Sequence, residues 1–334
     1  MKAIRLDQTG PPENLKLVDI PIPEIDEDGI LIKADCAGLI YADCELRRGT
    51  YYLKTALPYF PGREVSGTIE KVGANVTQWA PGQRVMAMVL SGGCCAEYVH
   101  ASTRPYTFPN GSTFPAAEIF ALPDRVSFTQ GLVYLVNYRL AHILFHSYVA
   151  IPPSATVLVH GAAGGFGSVT TMIARANGNN VIALSRTAEE CEFCLANGAH
   201  HSLNVTDLDY VDEVMKITAG KGVDCSINGV SGDTLDKDAH AVRTFGEIVI
   251  YGYAGGRSSF NPWTANKSLT VRTFSADDFL RGPAMKRAID AMYACFDSGE
   301  VADVSRTFDL AEAAAAQALI DSGLAMGKIA LKIE

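Results

Sequence analysis

The sequence lacks the features with which proteins bind nucleic acids or enter membranes. It contains no run of lysines or arginines, and 28 basic residues against 37 acidic ones leave a net charge of −9 at pH 7. A negative balance without a basic patch disfavours nucleic acid and anionic membranes as partners. No apolar stretch approaches the roughly eighteen residues of a membrane span, and the N-terminal segment does not resemble a signal peptide. We therefore predict a cytoplasmic protein whose partner is a small molecule.

The eight cysteines match neither a disulfide framework nor a metal-binding motif. In a chain of this length and kind they are more typical of reduced thiols. Cys191 and Cys194 have the spacing of two zinc ligands, but no second cysteine pair or nearby histidine pair completes a set of four. Cys94 and Cys95 are adjacent, and neighbouring side chains on a strand point to opposite faces. The sequence thus predicts no metal site.

The pattern along the chain predicts an α/β fold of two domains. Its 334 residues, 48% of them hydrophobic, can bury a sizeable core. Residues 1–127 show short strand patterns separated by Pro and Gly turns, which indicates a β-rich domain. Residues 128–263 alternate apolar strands with helical stretches, which is typical of a doubly wound parallel sheet. Residues 264–334 return to a mixed pattern, with a helix that begins near Asp309 and ends at Gly323.

A glycine-rich segment between a predicted strand and a predicted helix is the strongest local signal. Apolar residues 156–159 precede it, and apolar residues recur at helical spacing after it. Aligned with the dinucleotide-binding fingerprint G-x-G-x-x-G, the match has alanine in place of the first glycine and comprises Ala162, Ala163, Gly164, Gly165, Phe166 and Gly167. Gly164 would let the backbone approach a pyrophosphate, and Gly167 would let the helix pack close to the sheet. Because a helix N-terminus also attracts phosphate, we predict a dinucleotide site here.

The next predicted strand indicates which dinucleotide binds. NAD sites place Asp or Glu about twenty residues beyond the glycines, against the ribose 2′-hydroxyl. This chain has Ser185 and Arg186 there, a hydroxyl and a cation that suit a 2′-phosphate, which favours NADPH over NADH. The alternative is that Arg186 is a solvated surface charge. Four further candidate cofactor residues follow predicted strands, at the edge where the cofactor lies in such sheets: Asn228, Gly229, Gly252 and Tyr253.

The order of these features resembles the medium-chain dehydrogenase/reductase superfamily, in its zinc-free quinone oxidoreductase-like branch. The β-rich N-terminal part and the motifs GAAGGFGS, GAHHSLN and GLAMGKIALKIE carry the resemblance, which spans essentially the whole chain. It implies a GroES-like catalytic domain that is interrupted by a Rossmann domain. It also implies a homodimer formed along the edge of the cofactor sheet, for which residues 268–274 are the candidate strand. Asn137 resembles a family position that contacts cofactor or substrate, and a position on the helix surface is the alternative.

Zinc alcohol dehydrogenases of this superfamily have a cysteine in the loop that here reads AGLIYADC, and a His-Glu pair in the loop that here reads GREVSG. This chain has Ile40 at the cysteine position and Arg63 at the histidine position. Glu64 alone cannot build the three-ligand open site of a catalytic zinc. We therefore predict that Glu64 is a framework carboxylate, paired with Arg63 or with backbone N–H groups.

The resemblance then implies hydride transfer from NADPH to a quinone or to the β-carbon of a conjugated carbonyl. The protein must stabilise the enolate or phenolate oxygen as charge develops. Candidate donors are Tyr41, Arg47, Tyr51 and Tyr52, and related reductases have a tyrosine where Tyr51 aligns. Water is the alternative proton donor. The chain departs from related quinone oxidoreductases at Ile40 and Glu45. These departures make a non-catalytic NADPH-binding protein an alternative function, and an enoyl-thioester reductase is another.

An apparent insertion at residues 103–118 is rich in proline and aromatic residues. Long loops in compact domains are often functional, which favours a lid over the pocket. A segment that wraps the surface is the alternative.

Overall fold

The computed structural model describes residues 1–52, 56–107, 113–114, 116–257, 260–279 and 282–333. They divide into two units. The first comprises Met1–Val136 and Met292–Glu334, and the second comprises Asn137–Ala291. Along the sequence, the second unit is thus inserted into the first.

As predicted, the N-terminal part is rich in strands, and strands alternate with helices after it. In chain order the strands are β1 (Lys2–Leu6), β2 (Leu15–Asp19), β3 (Gly29–Leu39), β4 (Glu64–Val72), β5 (Arg84–Met88), β6 (Tyr98–Ser102), β7 (Tyr106–Thr107), β8 (Thr113–Phe114), β9 (Glu118–Ala121), β10 (Thr156–Val159), β11 (Asn180–Ser185), β12 (His201–Asn204), β13 (Val223–Asn228), β14 (Val242–Ile250), β15 (Thr270–Thr273), β16 (Arg306–Asp309) and β17 (Ile329–Lys332). The α-helices are α1 (Tyr41–Arg48), α2 (Phe128–Val133), α3 (Arg139–Ile143), α4 (Gly165–Ala176), α5 (Ala188–Ala196), α6 (Tyr210–Ile217), α7 (Thr234–Ala241), α8 (Pro262–Ala265), α9 (Pro283–Ser298) and α10 (Ala313–Ser322).

A largely antiparallel sheet forms the first unit. Its strands pair in the order β16-β17-β3-β4-β5-β9, and β6 also pairs with β3. The inward residues of β3 and β4 are apolar and fully buried, including Ile30, Ile32 and Val65. Burying each such side chain contributes roughly 1.5–3 kcal/mol, so the sheet supplies a stable base for the loops and the short helix α1 that follow its strands.

The second unit is built on a six-stranded parallel sheet with the order β12-β11-β10-β13-β14-β15. Strands of this kind are covered on both faces and are therefore continuously apolar; Val157, Leu158 and Val159 of β10 have no exposed surface. The order is that of a doubly wound nucleotide-binding sheet, in which successive strands are added on one side of β10 up to β12 and on its other side from β13 onward. The predicted α/β fold with a parallel sheet is confirmed.

The helical segment at residues 128–148 is not a continuous α-helix. Between α2 and α3, and again after α3, the backbone widens into π-helical turns at Tyr134–Tyr138 and Leu144–Tyr148. Such turns are rare and occur often at functional sites. Asp309 and Glu312 form a reciprocal capping box on the 3-10 turn Leu310–Glu312 that leads into α10, and Gly323 ends α10 in the left-handed conformation, as the sequence predicts.

The predicted domain boundaries differ from the observed units. Helix α2 belongs to the first unit, where Gly131 approaches the side chains of Ser66 and Leu122 so closely that a larger residue would meet both. Strand β15 belongs to the second unit, because it pairs in parallel with β14. These contacts join residues distant in sequence, which local patterns do not reveal.

Within the proposed insertion, β7 and β8 pair in an antiparallel ladder. Residues 108–112 and 115 lie outside the described residues, so the lid stays a prediction. Across the described part of the chain, no helix combines the length and the apolar composition that crossing a membrane requires.

Candidate active site

The glycine-rich turn links β10 to α4 as the fingerprint predicts. Gly161 has a φ of +57°, a left-handed conformation that favours glycine. A Cβ atom on Gly167 would lie 2.2 Å from the Gly161 carbonyl oxygen, so any larger residue would push α4 away from the turn. Gly164 is the N-cap of α4 and has an extended backbone. Gly161 was missed by the sequence alignment, which began one residue later; its signal was its place directly after the strand.

The remaining fingerprint residues shape the same turn. Ala162 and Ala163 are buried, and α4 begins at Gly165. The ring of Phe166 lies 4.5 Å from the ring of Tyr251. At twelve residues, α4 is long enough for its unpaired first N–H groups and its dipole to favour a phosphate at this end.

At the end of β11, only one of the two residues predicted to bind a 2′-phosphate, Arg186, has an exposed side chain. Ser185 is buried, and its hydroxyl lies 3.3 Å from the Cys194 sulfur and 3.5 Å from the Ser202 hydroxyl, so it faces the interior of the unit. Arg186 keeps a side chain that is 42% exposed, and it pairs with Glu190 at 3.2 Å. Glu190 also accepts a hydrogen bond from the Arg186 backbone at 2.7 Å. Arg186 therefore stays a candidate for a 2′-phosphate, whereas the Ser185 hydroxyl does not point toward solvent.

Strand β13 ends in residues that were predicted to contact the cofactor. Asn228 is fully buried and its side chain makes hydrogen bonds inside the protein, and its place in the cofactor site stays a prediction. Gly229 and Gly252 approach each other, since a Cβ atom on Gly252 would lie 2.7 Å from the Gly229 carbonyl oxygen. Tyr253, which follows, is exposed. Asn137 is buried on the first π-helical turn, and its contact with a cofactor stays a prediction.

In the first unit, the predicted donors Tyr41 and Arg47 lie on α1, and Tyr51 follows it. Arg47 is buried with its guanidinium bound to Gln317, to the Gly10 carbonyl and to Asp321. It therefore anchors α1 to α10 and is not placed to contact a substrate, which corrects that prediction. Tyr41 is half-buried and packs against Arg48, whose guanidinium carbon lies 5.2 Å from the tyrosine ring centre.

Tyr51 lies over a buried cation. The guanidinium carbon of Arg63 is 5.2 Å from the centre of the Tyr51 ring, and Arg63 Nε is 3.6 Å from a carboxylate oxygen of Asp43. Burial lowers the pKa of Arg63, but Asp43, Tyr51 and Tyr59 raise it by more, so the guanidinium stays charged. Burial raises the pKa of Asp43, and Arg63 lowers it by less. The half-buried Tyr51 thus presents a phenol beside a fixed positive charge.

Glu64 pairs with Lys328 and not with Arg63, which corrects the predicted partner. Lys328 Nζ donates to Glu64 Oε2 at 2.5 Å, and both side chains are 1% exposed. The predicted framework role nevertheless fits this geometry. Gly38 makes room for the pair, because a Cβ atom there would lie 2.5 Å from the same carboxylate oxygen. Within the described residues, no group of three or more His, Cys, Asp or Glu side chains is arranged so that it could hold a metal ion.

Known proteins share this organisation. Residues 26–123 match the alcohol dehydrogenase GroES-like domain, and residues 165–292 match the zinc-binding dehydrogenase family. Human quinone oxidoreductase is 34% identical over 257 residues, which cover 76% of this chain and 74% of that protein. The quinone oxidoreductase of Lama guanicoe is 33% identical and covers 86% of this chain and 85% of its own.

A solved structure extends the likeness to the whole chain. A mycobacterial protein crystallised with NADPH superposes with a TM-score of 0.86 at 27% identity, and the match covers 99% of this chain and 100% of that one. Although one of these families is named for zinc binding, this chain has Ile40 and Arg63 at the positions where the zinc enzymes have a cysteine and a histidine ligand. From the two domains and the identity to the quinone oxidoreductases, this chain belongs to the medium-chain dehydrogenase/reductase superfamily, in its quinone oxidoreductase-like branch.

Proposed function

We propose that this protein is a zinc-independent, NADPH-dependent reductase of quinones or α,β-unsaturated carbonyl compounds. The observation that carries the proposal is the glycine-rich turn, which follows β10 at the point where the strand order reverses between β10 and β13, the place where dinucleotides bind in such sheets. The relatives named quinone oxidoreductases and the mycobacterial structure with NADPH support it.

The residues present fit a dinucleotide phosphate. The close approach of Gly161 and Gly167 packs α4 tightly against the turn, Gly164 would let the backbone approach a pyrophosphate, and the N-terminus of α4 favours its charge. Arg186 would pair with the 2′-phosphate, in competition with Glu190. When bound, NADPH supplies the hydride.

The chain itself must supply stabilisation of the reduced oxygen. Tyr51 would donate a proton to that oxygen, and the adjacent Arg63 cation favours the negative charge left on the phenol. Arg63 is paired with Asp43, which keeps the cation in place.

The test is NADPH oxidation by metal-stripped protein, without oxygen and with EDTA, against a quinone, an alkenal, an enone and an enoyl-CoA. Turnover of the quinone or of an unsaturated carbonyl compound would support the proposal and identify the acceptor class. Turnover of enoyl-CoA alone would indicate an enoyl-thioester reductase. Tight NADPH binding with no turnover of any acceptor would contradict the reductase function and leave a binding role.

Replacing Arg186 with alanine should weaken NADPH binding by about tenfold and leave NADH binding unchanged. A charge-assisted hydrogen bond contributes roughly 1.5–3 kcal/mol, and the existing pair with Glu190 reduces the net gain. Dissociation constants from nicotinamide fluorescence measure the effect. Arg243→Ala is the matched control, because Arg243 is also 42% exposed and paired with an acid, Asp224. An unchanged ratio of the NADPH and NADH constants would show that the Arg186 side chain does not select the cofactor.

We also propose that the chain forms a homodimer through β15. Among the described strands, β15 lies at one end of the parallel sheet and pairs with β14 alone, so its other edge offers backbone groups to a second copy. Sedimentation velocity should give about twice the chain mass of 35.7 kDa. A species at the monomer mass at micromolar concentration would contradict the proposal. The cytoplasmic location stays a prediction.

A further inference from the structure

A buried polar network lies beneath the carboxyl end of the parallel sheet, and Asp238 is its centre. Asp238, on α7, has no exposed surface. One carboxylate oxygen, Oδ1, accepts from the Tyr210 hydroxyl at 2.9 Å and lies 2.8 Å from His160 Nε2. The other, Oδ2, accepts from the Ser226 hydroxyl at 2.8 Å and from the Asn228 amide at 2.7 Å. Four protein groups thus surround a carboxylate that the proposed mechanism does not use.

The carboxylate determines how the Asn228 amide is oriented. Its Nδ2 group donates to Asp238, and its Oδ1 atom accepts from the backbone N–H groups of Val230 at 2.9 Å and Ser231 at 2.8 Å. A flipped amide would place its oxygen against a carboxylate oxygen and its NH₂ group against two N–H donors. Both contacts would be repulsive, so the acceptor-only carboxylate and the two backbone N–H groups together permit a single orientation.

The segment that Asn228 holds, residues 229–232, has a constrained backbone beside the glycine-rich turn. Ser231 has a φ of +58°, a left-handed conformation that is unfavourable for serine. Ser231 is also fully buried, and its hydroxyl donates to the Gly252 carbonyl at 2.9 Å. A Cβ atom on Gly161 would lie 3.9 Å from the Val230 side chain. Strained backbone of this kind persists where neighbouring contacts enforce it, and it is concentrated at ligand sites.

We propose that Asp238 is a positioning residue for the dinucleotide. By orienting the Asn228 amide, it holds residues 229–232 in the shape that the cofactor requires at the sheet edge. The proposal rests on the proposed function, because it takes NADPH as the ligand. A positioning role differs from a purely structural one, because a change at Asp238 should alter cofactor affinity in molecules that remain folded.

A charge exchange between two side chains tests this proposal. Asn228→Asp places two carboxylates together, and Asp238→Asn removes the carboxylate that accepts from the Asn228 amide. The double variant N228D/D238N restores one carboxylate and one amide, and the neighbouring hydroxyls can turn to match. We expect each single variant to bind NADPH about tenfold more weakly, and the double variant to bind within about threefold of the unaltered protein. Tyr210→Phe is the control, since it removes a hydrogen bond to the other oxygen of Asp238; it should lower stability but not affinity.

Amide hydrogen exchange at Val230 and Ser231 provides a readout that does not depend on NADPH. Exchange should accelerate about tenfold in the single variants and return toward the original rate in the double variant. Folded single variants that bind NADPH normally, or a folded double variant that binds no better than they do, would overturn the proposal. If neither single variant folds, the NADPH affinity and the exchange rates of the double variant decide: values near those of the unaltered protein support the proposal, and weak binding with fast exchange overturns it. Failure of the unaltered protein to bind NADPH contradicts the proposed function instead, and the exchange rates then still test the positioning of residues 229–232.

Discussion

Replacing Lys328 with methionine should lower the free energy of unfolding by about 3–5 kcal/mol at neutral pH or above. The substitution leaves the Glu64 carboxylate buried, with its Lys328 partner removed. Its second oxygen, Oε1, already has no hydrogen-bond partner within the described part of the chain. An unpaired buried charge has a large desolvation penalty in the folded state, so the free energy of unfolding falls. Urea unfolding monitored by circular dichroism measures the change.

The pH dependence of this loss has a definite sign. Burial raises the pKa of Glu64, and Lys328 lowers it by less. A carboxyl whose pKa is higher in the folded state binds its proton more tightly there, so its contribution to stability falls as pH rises above the unfolded pKa of about 4.3. Removing Lys328 raises the folded pKa further. The destabilisation should therefore be smaller near pH 5 than near pH 8.

The matched control replaces both members of the pair, as Glu64→Leu with Lys328→Met. Exchanging a whole buried ion pair for apolar residues is often neutral or stabilising, so the double variant should recover most of the lost stability. If the single and double variants were equally unstable at both pH values, the loss would come from packing and not from the uncompensated charge.

Replacing Tyr51 with phenylalanine should reduce kcat by about a hundredfold with the best acceptor of the panel. A positioned proton donor contributes typically 10²–10⁴-fold, and one hydrogen-bond donor to a developing oxyanion is worth about 3 kcal/mol. The ring, and with it the contact with the Arg63 cation, is retained, so folding should be little affected. NADPH affinity should not change, because Tyr51 acts on the acceptor. Single-turnover rates and the solvent isotope effect separate the chemical step from product release.

Tyr98→Phe is the control, as Tyr98 is another half-buried tyrosine of the first unit, on β6. It should leave kcat unchanged. A Tyr51→Phe variant with full activity would show that water supplies the proton and that the tyrosine serves as an aromatic surface. A variant that loses activity together with stability would point to the packing of Tyr51 against Arg63.

Local patterns predicted much of this architecture. The strand, turn and helix around the fingerprint follow from periodicity and from glycine conformation, and the capping residues of α10 identify its ends. The prediction that the chain has no catalytic zinc site depends on residue identity at two aligned positions, Ile40 and Arg63. Such features depend on neighbours within a few residues or on a family alignment, so a single sequence is sufficient for them.

The partners of the charged residues required the three-dimensional structure. Glu64 pairs with Lys328, and Arg47 binds residues of α10, in both cases across more than 260 positions. The inward direction of Ser185 and the engagement of Asn228 with Asp238 likewise depend on how strands and helices pack. Hydrophobic periodicity specifies which face of a strand is buried, but it does not specify which distant side chain meets a buried charge. That choice follows from packing and desolvation in the folded chain.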